Sequence, residues 1–196
     1  KPDLVLLCGD LIDGEIAPVL RQQLGKHIQE IKPPLGLYAI CGNHEYIGNI
    51  EKSLQYLHSI HINVIQDQVI TLPNGIQLVG CKDIQSKYSG SETPILPLST
   101  LMNEVDTNKP IIVMKHQPTD LDESANAEVD LHISGHTHHG QLWPINYITS
   151  ALFEISCGYK KKNNTHFYVS SGFGTWGPSV RLGNAPEIVI FDIHFQ

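Results

Sequence analysis

Short apolar runs alternate with stretches of helical spacing along the 196-residue chain. The apolar runs predict strands over 4–8, 37–40, 68–72, 76–80, 111–114, 129–134, 167–170 and 188–194. Apolar residues at helical spacing predict helices over 17–31, 50–60 and 98–105. Pro73-Asn74-Gly75 predicts a hairpin turn, since Asn-Gly tolerates positive φ angles. Because strands and helices alternate without a linker or repeat, the pattern predicts one α/β domain over 1–196, with layered sheets.

Polar motifs follow four of the predicted strands, at the point where each strand ends. They are Gly9-Asp10, Gly42-Asn43-His44-Glu45, His116 and Gly135-His136-Thr137-His138. Ligands of open α/β sheets bind at the carboxyl ends of strands, so a sheet that gathers these ends makes one site from four segments. Asp, Asn and His are the ligand set of a borderline divalent metal such as Mn, Fe or Zn. The four motifs together therefore predict a metal site.

Each motif also has a simpler interpretation when it is taken alone. Gly-Asp after a strand is commonly a turn, Gly-Asn-His can be a loop, and a single His116 is more often a structural histidine. The run from His136 to His139 is harder to explain this way, because positions 136 and 138 point the same way on an extended segment. The order of the motifs and their position at strand ends favour the metal interpretation.

Composition and charge narrow the classes of partner. The formal net charge of −7 argues against a nucleic-acid binder with a broad basic surface, although bound cations can reverse the sign of a carboxylate-rich pocket. Four of the eleven histidines cluster at His132, His136, His138 and His139, which is typical of metal binding. No apolar run approaches the roughly 18 residues of a membrane helix. The four cysteines form no CxxC pair, and burial as free thiols is favoured over disulfides.

The four motifs resemble the second to fifth signature motifs of the calcineurin-like metallophosphoesterases. The tail over 167–178, with Arg181-Leu182-Gly183-Asn184 and Pro186-Glu187, is similar to the bacterial YkuE/YaeI-like branch of that family. Gly140-Gln141 fits the same branch, which usually has glycine where this chain has His139. The resemblance implies a four-layer α/β/β/α sandwich. It also implies hydrolysis of phosphate mono- or diesters by water activated at a binuclear centre of Mn, Fe or Zn.

The resemblance implies a role for each metal-ligating residue. Asp10 would bridge two divalent ions. Asn43, His116 and His136 would complete the shell of one ion, and His138 would bind the other.

The resemblance also implies the groups that perform the chemistry. His44 and Asp10 are the expected catalytic residues, with His44 beside the phosphate, where it stabilises the transition state or protonates the leaving oxygen. Asp13 and Glu45 are expected to hold loops and to orient the ligands.

The first signature motif of the family, Asp-x-His on a strand ahead of Asp10, is absent from this sequence. The resemblance therefore implies an N-terminally truncated sandwich, in which one metal site is complete and the other retains only Asp10 and His138. An Asp-x-His pair does occur at Asp192 and His194, at the end of a predicted strand. It can be read as a replacement motif, but strand alternation makes such pairs common by chance, which is the favoured interpretation.

Three functions stay open at this point. The leading one is a phosphodiesterase or phosphatase acting on a small or lipid-linked phosphate ester. The second is a non-catalytic protein-binding scaffold of the same fold, against which the retained His44 argues, and the third is an inactive truncated fragment. For the cellular location, the resemblance leaves two alternatives, the bacterial cytoplasm and the cell envelope. In the second, a segment upstream of Lys1 would associate with the membrane.

Further residues have two interpretations each. Trp143, Tyr147 and Phe153 could wall the substrate pocket or belong to the core. Arg181 could clamp a phosphate or pack a glycine-rich loop. Lys160-Lys161-Lys162 is predicted to be a solvated turn.

Overall fold

The computed structural model describes residues 1–90 and 93–194. Within them the chain forms nine short strands: β1 (Val5–Cys8), β2 (Leu37–Ile40), β3 (Asn63–Val64), β4 (Gln68–Thr71), β5 (Gln77–Gly80), β6 (Ile111–Met114), β7 (Leu131–Ser134), β8 (Gly158–Lys162) and β9 (Thr165–Val169). The same residues contain six α-helices: α1 (Ile16–Gln22), α2 (Asn43–Gly48), α3 (Ile50–Ser59), α4 (Leu98–Met102), α5 (Leu121–Asn126) and α6 (Ile145–Leu152). Three 3-10 turns cover Ile28–Glu30, Ile84–Tyr88 and His138–Gly140.

The strands form two sheets. The first contains β1, β2 and β3 in that order, all parallel. The second has the order β4-β5-β6-β7-β9-β8, with parallel pairs in its centre and an antiparallel pair at each edge. The strands that precede the polar motifs are therefore neighbours, β1 with β2 in one sheet and β6 with β7 in the other. Their carboxyl ends meet at one edge of each sheet.

An apolar layer lies between the two sheets. Ile40 of β2 is buried in one cluster with Leu78, Ile112 and Ile133 of the larger sheet, and Leu6 of β1 packs against it. Because side chains alternate across a strand, the neighbouring residues face away from this layer.

Helices cover the outer face of each sheet. Ala39 of β2 packs with Leu57 of α3, and Val113 of β6 packs with Leu101 of α4. Leu57 and Leu101 are 2% and 0% exposed, and burying a leucine side chain contributes about 1.5–3 kcal/mol. The resulting order of helix, sheet, sheet and helix confirms the predicted four-layer α/β/β/α architecture.

Most of the predicted elements are present. Seven of the eight predicted strands and the helices beginning at Ile50 and Leu98 form, the second ending at Met102. The predicted hairpin joins β4 to β5, and Gly75 at its turn has a φ of 91°.

The predicted helix over 17–31 is wrong beyond Gln22. Gln23 adopts a left-handed conformation with a φ of 51° and ends α1. Gly25 then donates its N–H to the hydroxyl of Tyr56 over 2.9 Å, and a Cβ at this position would lie 2.6 Å from that oxygen. Packing against α3 therefore overrides the helical spacing.

Two predictions near the end of the chain are also wrong. No strand forms over 188–194, where Ile188 and Ile190 are 83% and 90% exposed, because alternation alone does not supply hydrogen bonds from a neighbouring strand. Lys160-Lys161-Lys162 is not a turn. It lies in the edge strand β8, and the turn falls at Asn163, where φ is 54°.

The cysteines are all free. Cys41 and Cys81 are buried, Cys8 is partly buried and Cys157 is exposed. Burial raises the pKa of the Cys8 and Cys81 thiols to about 12, so these side chains act as apolar core groups. Among the described residues no helix combines the length and apolar character needed to cross a membrane.

Candidate metal centre

Four strand ends deliver four metal-donor side chains to one place. Asp10 follows β1 by two residues, and Asn43 is the first residue of α2, directly after the β2 loop. His116 and His136 each follow their strand, β6 and β7, by two residues. Parallel pairing of β1 with β2 and of β6 with β7 brings these positions together.

The donor atoms of these four side chains converge. His116 Nε2 lies 3.0 Å from Asp10 Oδ2 and 3.1 Å from Asn43 Oδ1. His136 Nδ1 lies 2.9 Å from the same Asn43 oxygen and 3.3 Å from His116 Nε2. The four side chains are called the donor cluster below.

The chemistry of the donor cluster fits a divalent cation. His116 Nδ1 lies 2.6 Å from the carbonyl oxygen of Cys8, which can only accept, so Nδ1 carries a proton and Nε2 is the ring nitrogen that faces Asp10 and Asn43. Asp10 Oδ2, Asn43 Oδ1 and the Nε2 of a neutral His116 ring can all bind a cation through a lone pair, so a bound cation would replace the proton that His116 Nε2 shares with Asp10. Bonds of about 2.0–2.1 Å to a tetrahedral Zn²⁺ would separate its ligand atoms by about 3.3 Å, close to the spacing here.

The pKa values of the donor cluster follow from burial and from the contact between Asp10 and His116. Burial opposes ionisation of both Asp10 and His116, but their mutual hydrogen bond and attraction prevail, lowering the pKa of Asp10 and raising that of His116. Burial, and then the nearby charge of His116, lowers the pKa of His136 to about 4, so this imidazole is neutral and available as a ligand.

Glu45 fixes the backbone that carries two of the donors. Its side chain is 0% exposed and accepts three backbone N–H bonds, from Asp10 at 2.9 Å, Ile12 at 2.8 Å and Gly42 at 2.7 Å. Burial, followed by the charge of Asp10, raises the pKa of this carboxyl group, while the N–H bonds oppose the rise. Gly42 is required at this point because a Cβ there would lie 2.2 Å from Asp10 Oδ1.

His44 lies beside the donor cluster. Its backbone N–H donates to Asp10 Oδ1 over 3.0 Å, and its ring Nδ1 lies 2.6 Å from Asp13 Oδ1. The carboxylate of Asp13 accepts from Nδ1 and leaves Nε2 as the ring nitrogen available to a ligand.

His138 lies near the donor cluster but not in it. Its Nδ1 is 3.2 Å from a guanidinium nitrogen of Arg181, which can only donate. Burial, and then the charge of Arg181, lowers the pKa of His138. Its expected role as the ligand of a second ion with Asp10 stays a prediction.

The segment of His136 to His139 is not extended, contrary to the sequence-based expectation. His136, His138 and His139 all have positive φ, and the 3-10 turn begins at His138. His139 turns away to Ser156, with 3.0 Å between Nδ1 and Oγ. His132 is buried elsewhere, on the outer face of β7.

A cleft of about 250 Å³ opens beside the donor cluster. Asp10, His44, His136 and His138 line it together with apolar residues. Of the three aromatic residues singled out in the sequence, Phe153 lines this cleft, whereas Trp143 and Tyr147 are 58% and 67% exposed and are not part of its lining.

Several residues of the cleft were not identified as site residues from the sequence. Ile145 and Thr149 line it from α6 at the spacing of one helical turn, a signal that a periodicity argument could have used. Trp176 lines it from a distant loop, and no local pattern connects it to the site.

Arg181 packs the glycine-containing loop that follows β9. Its guanidinium donates to the carbonyl oxygens of Ser171, Gly172 and Gly174 and to Asn184 Oδ1. Asp192 and His194 lie 3.3 Å from each other with highly exposed side chains, outside any described strand.

A four-layer α/β sandwich with carboxylate, amide and imidazole donors at shared strand ends is the arrangement of a metal-binding α/β protein. The model of the calcineurin-like phosphoesterase family matches residues 1–140, so the chain belongs to that family. Membership supports phosphoester hydrolysis at a divalent metal centre in general. The assignment to the YkuE/YaeI-like branch stays a prediction.

Named relatives come from bacteria and animals. An uncharacterized metallophosphoesterase of Aquifex aeolicus is 35% identical over 195 residues, which cover 98% of this chain and 73% of the relative. One from Helicobacter pylori is 32% identical over 188 residues, 95% of this chain and 50% of the relative. A transmembrane protein with metallophosphoesterase domain from Danio rerio is 28% identical, over 96% of this chain and 45% of the relative. The chain thus spans about three quarters of the length of the first relative, half the length of the second and under half the length of the third.

A solved structure shares the fold. Sulfate thiohydrolase SoxB of Thermus thermophilus in complex with glycerol aligns with a TM-score of 0.55 and 16% identity, over 86% of this chain and 33% of SoxB. At this identity the match concerns the fold alone.

Proposed function

We propose that this domain hydrolyses phosphate mono- or diesters in a reaction that requires divalent metal ions. The observation that carries the proposal is the convergence of Asp10, Asn43, His116 and His136 in a cleft that also presents His44. Family membership supports the same reaction class.

The donor cluster would hold one ion, and Asp10 with His138 would contribute to a second. When bound, such ions supply positive charge to phosphoryl oxygens and lower the pKa of water. Within the chain, Glu45 and Gly42 keep Asp10 in position. The buried imidazole of His116 is held in one tautomer by the carbonyl of Cys8.

His44 is proposed as the group that handles the leaving oxygen. Asp13 fixes the ring through Nδ1, which leaves Nε2 for a ligand in the cleft that His44 lines. As a water molecule attacks phosphorus and gives up a proton to solvent, the bond from phosphorus to the leaving oxygen breaks. A protonated His44 would donate its Nε2 proton to that oxygen, so that a neutral alcohol departs. Such proton transfer contributes roughly 10²–10⁴-fold to rate.

The experiment is hydrolysis of bis(p-nitrophenyl) phosphate by the purified chain with added Mn²⁺, Fe²⁺ or Zn²⁺. We expect turnover, and we expect a chelator to abolish it. Asn43→Ala should lose both turnover and metal affinity. His44→Ala should lose turnover but retain metal affinity. Metal binding without hydrolysis of mono- or diesters would overturn the catalytic proposal and favour a scaffold.

A further inference from the structure

Part of the cleft beside the donor cluster is apolar. Ile145, Phe153 and Trp176 line it next to His44 and the metal donors. The ring of Phe153 meets that of His136 edge to face, with 6.0 Å between the centroids. An apolar surface therefore begins directly at a metal donor.

The apolar wall is held in place by the fold. Ile145 begins α6 and Phe153 caps its C-terminal end, and Thr149 of the same helix lines the cleft between them. Gln141 is 1% exposed and bonds both backbone polar groups of Trp176: the Trp176 N–H donates to Gln141 Oε1 over 2.9 Å, and Gln141 Nε2 donates to the Trp176 carbonyl over 2.8 Å. A wall fixed before binding loses little entropy when a ligand arrives.

Among the described residues, neither lysine nor arginine lines this cleft. The nearby Arg181 already bonds the carbonyl oxygens of Ser171, Gly172 and Gly174, and His138. No lysine or arginine of this lining would therefore compensate the further phosphates of a nucleotide polyphosphate, whereas an apolar group beside the reacting phosphate would find a matching surface.

We infer that Ile145, Phe153 and Trp176 form a subsite for an apolar group esterified to the phosphate, so that the preferred substrates are phosphoesters of short alkyl or aryl alcohols. This inference rests on the proposed hydrolysis. The inference adds to the proposed hydrolysis the class of alcohol that the enzyme selects.

The test compares two diesters with the same leaving group, methyl 4-nitrophenyl phosphate and butyl 4-nitrophenyl phosphate. The chemistry at phosphorus is nearly the same, so a difference in kcat/KM reports contact with the alkyl chain. We expect the butyl ester to be favoured roughly tenfold, less than three fully buried methylene groups would give, because the cleft is partly open. Trp176→Ala and Phe153→Ala should bring the ratio toward one. Tyr147→Ala, on α6 but outside the cleft, should leave it unchanged.

A binding measurement gives a readout that does not depend on turnover. In a Trp143→Phe variant, Trp176 is the single tryptophan of the chain, and its fluorescence is followed during titration with methylphosphonate and butylphosphonate in the presence of Mn²⁺. We expect butylphosphonate to bind roughly tenfold more tightly and to change the emission of Trp176.

The outcomes separate the two proposals. Hydrolysis of both esters with equal kcat/KM, or equal phosphonate affinities, overturns the subsite and leaves the proposed function standing. If neither ester is hydrolysed, this result counts against the proposed function. The phosphonate titration then decides whether the subsite exists.

Discussion

Replacement of the buried carboxylate Glu45 by glutamine tests whether one side chain holds the metal loops. Glu45 accepts three backbone N–H bonds of 2.7–2.9 Å without exposure to water. In Glu45→Gln one oxygen becomes an amide nitrogen, which meets at least one N–H donor that it cannot bind. An unsatisfied buried donor costs about 1–3 kcal/mol. Since burial already opposes the charge of Glu45, losing that charge offsets part of this cost, and we expect a net loss of about 1–2 kcal/mol of unfolding free energy.

The same substitution should weaken metal binding. Glu45 orients Asp10 and Gly42 without being a donor itself, and loss of such a supporting group typically reduces metal affinity by about 10–100-fold. Urea denaturation with a chelator measures the stability, and isothermal titration with Zn²⁺ measures the affinity. Glu104→Gln, an exposed control, should change neither. If Glu45→Gln binds Zn²⁺ as tightly as the wild type, the carboxylate does not position Asp10 and the argument is refuted.

Three further predictions follow from the geometry. Gly42→Ala should abolish metal binding in titration calorimetry, because its Cβ would lie 2.2 Å from Asp10 Oδ1. Asp13→Asn should lower kcat by roughly 10–100-fold with unchanged metal affinity, since it only orients His44. Burial lowers the pKa of His132 from 6.5 to about 3. Between these two pH values the histidine is protonated in the unfolded chain and neutral in the folded chain, so stability falls as the pH falls. Urea denaturation in the presence of a chelator should show that this histidine lowers the free energy of unfolding by about 2 kcal/mol at pH 5, relative to a pH well above 6.5. His132→Gln should not show this loss.

The convergence of the four candidate metal donors could be predicted from sequence because each follows its strand closely. Once β1, β2, β6 and β7 are recognised as parallel strands, their carboxyl ends are known to meet, and donor residue types at those ends define a site. Glu45 was expected to orient ligands, and it does so through backbone N–H bonds.

The apolar wall and the limits of several elements could not be predicted. Trp176 lines the cleft from a loop whose backbone is hydrogen-bonded to Gln141, which is far away in the sequence. The helix begun at Ile16 stops at Gln22 because Gly25 packs against Tyr56. The alternating residues of 188–194 resemble a strand, but no neighbouring described strand pairs with them. Each miss depends on tertiary contacts that local periodicity does not encode.

An anomalous difference map from crystals of the protein grown with Mn²⁺ tests the proposed metal centre most directly. We expect a peak within coordination distance of four atoms, which are Asp10 Oδ2, Asn43 Oδ1, His116 Nε2 and His136 Nδ1. Asn43→Ala should weaken or remove this peak. A map without a peak among these four atoms, or with peaks only elsewhere on the surface, would contradict the proposed metal centre.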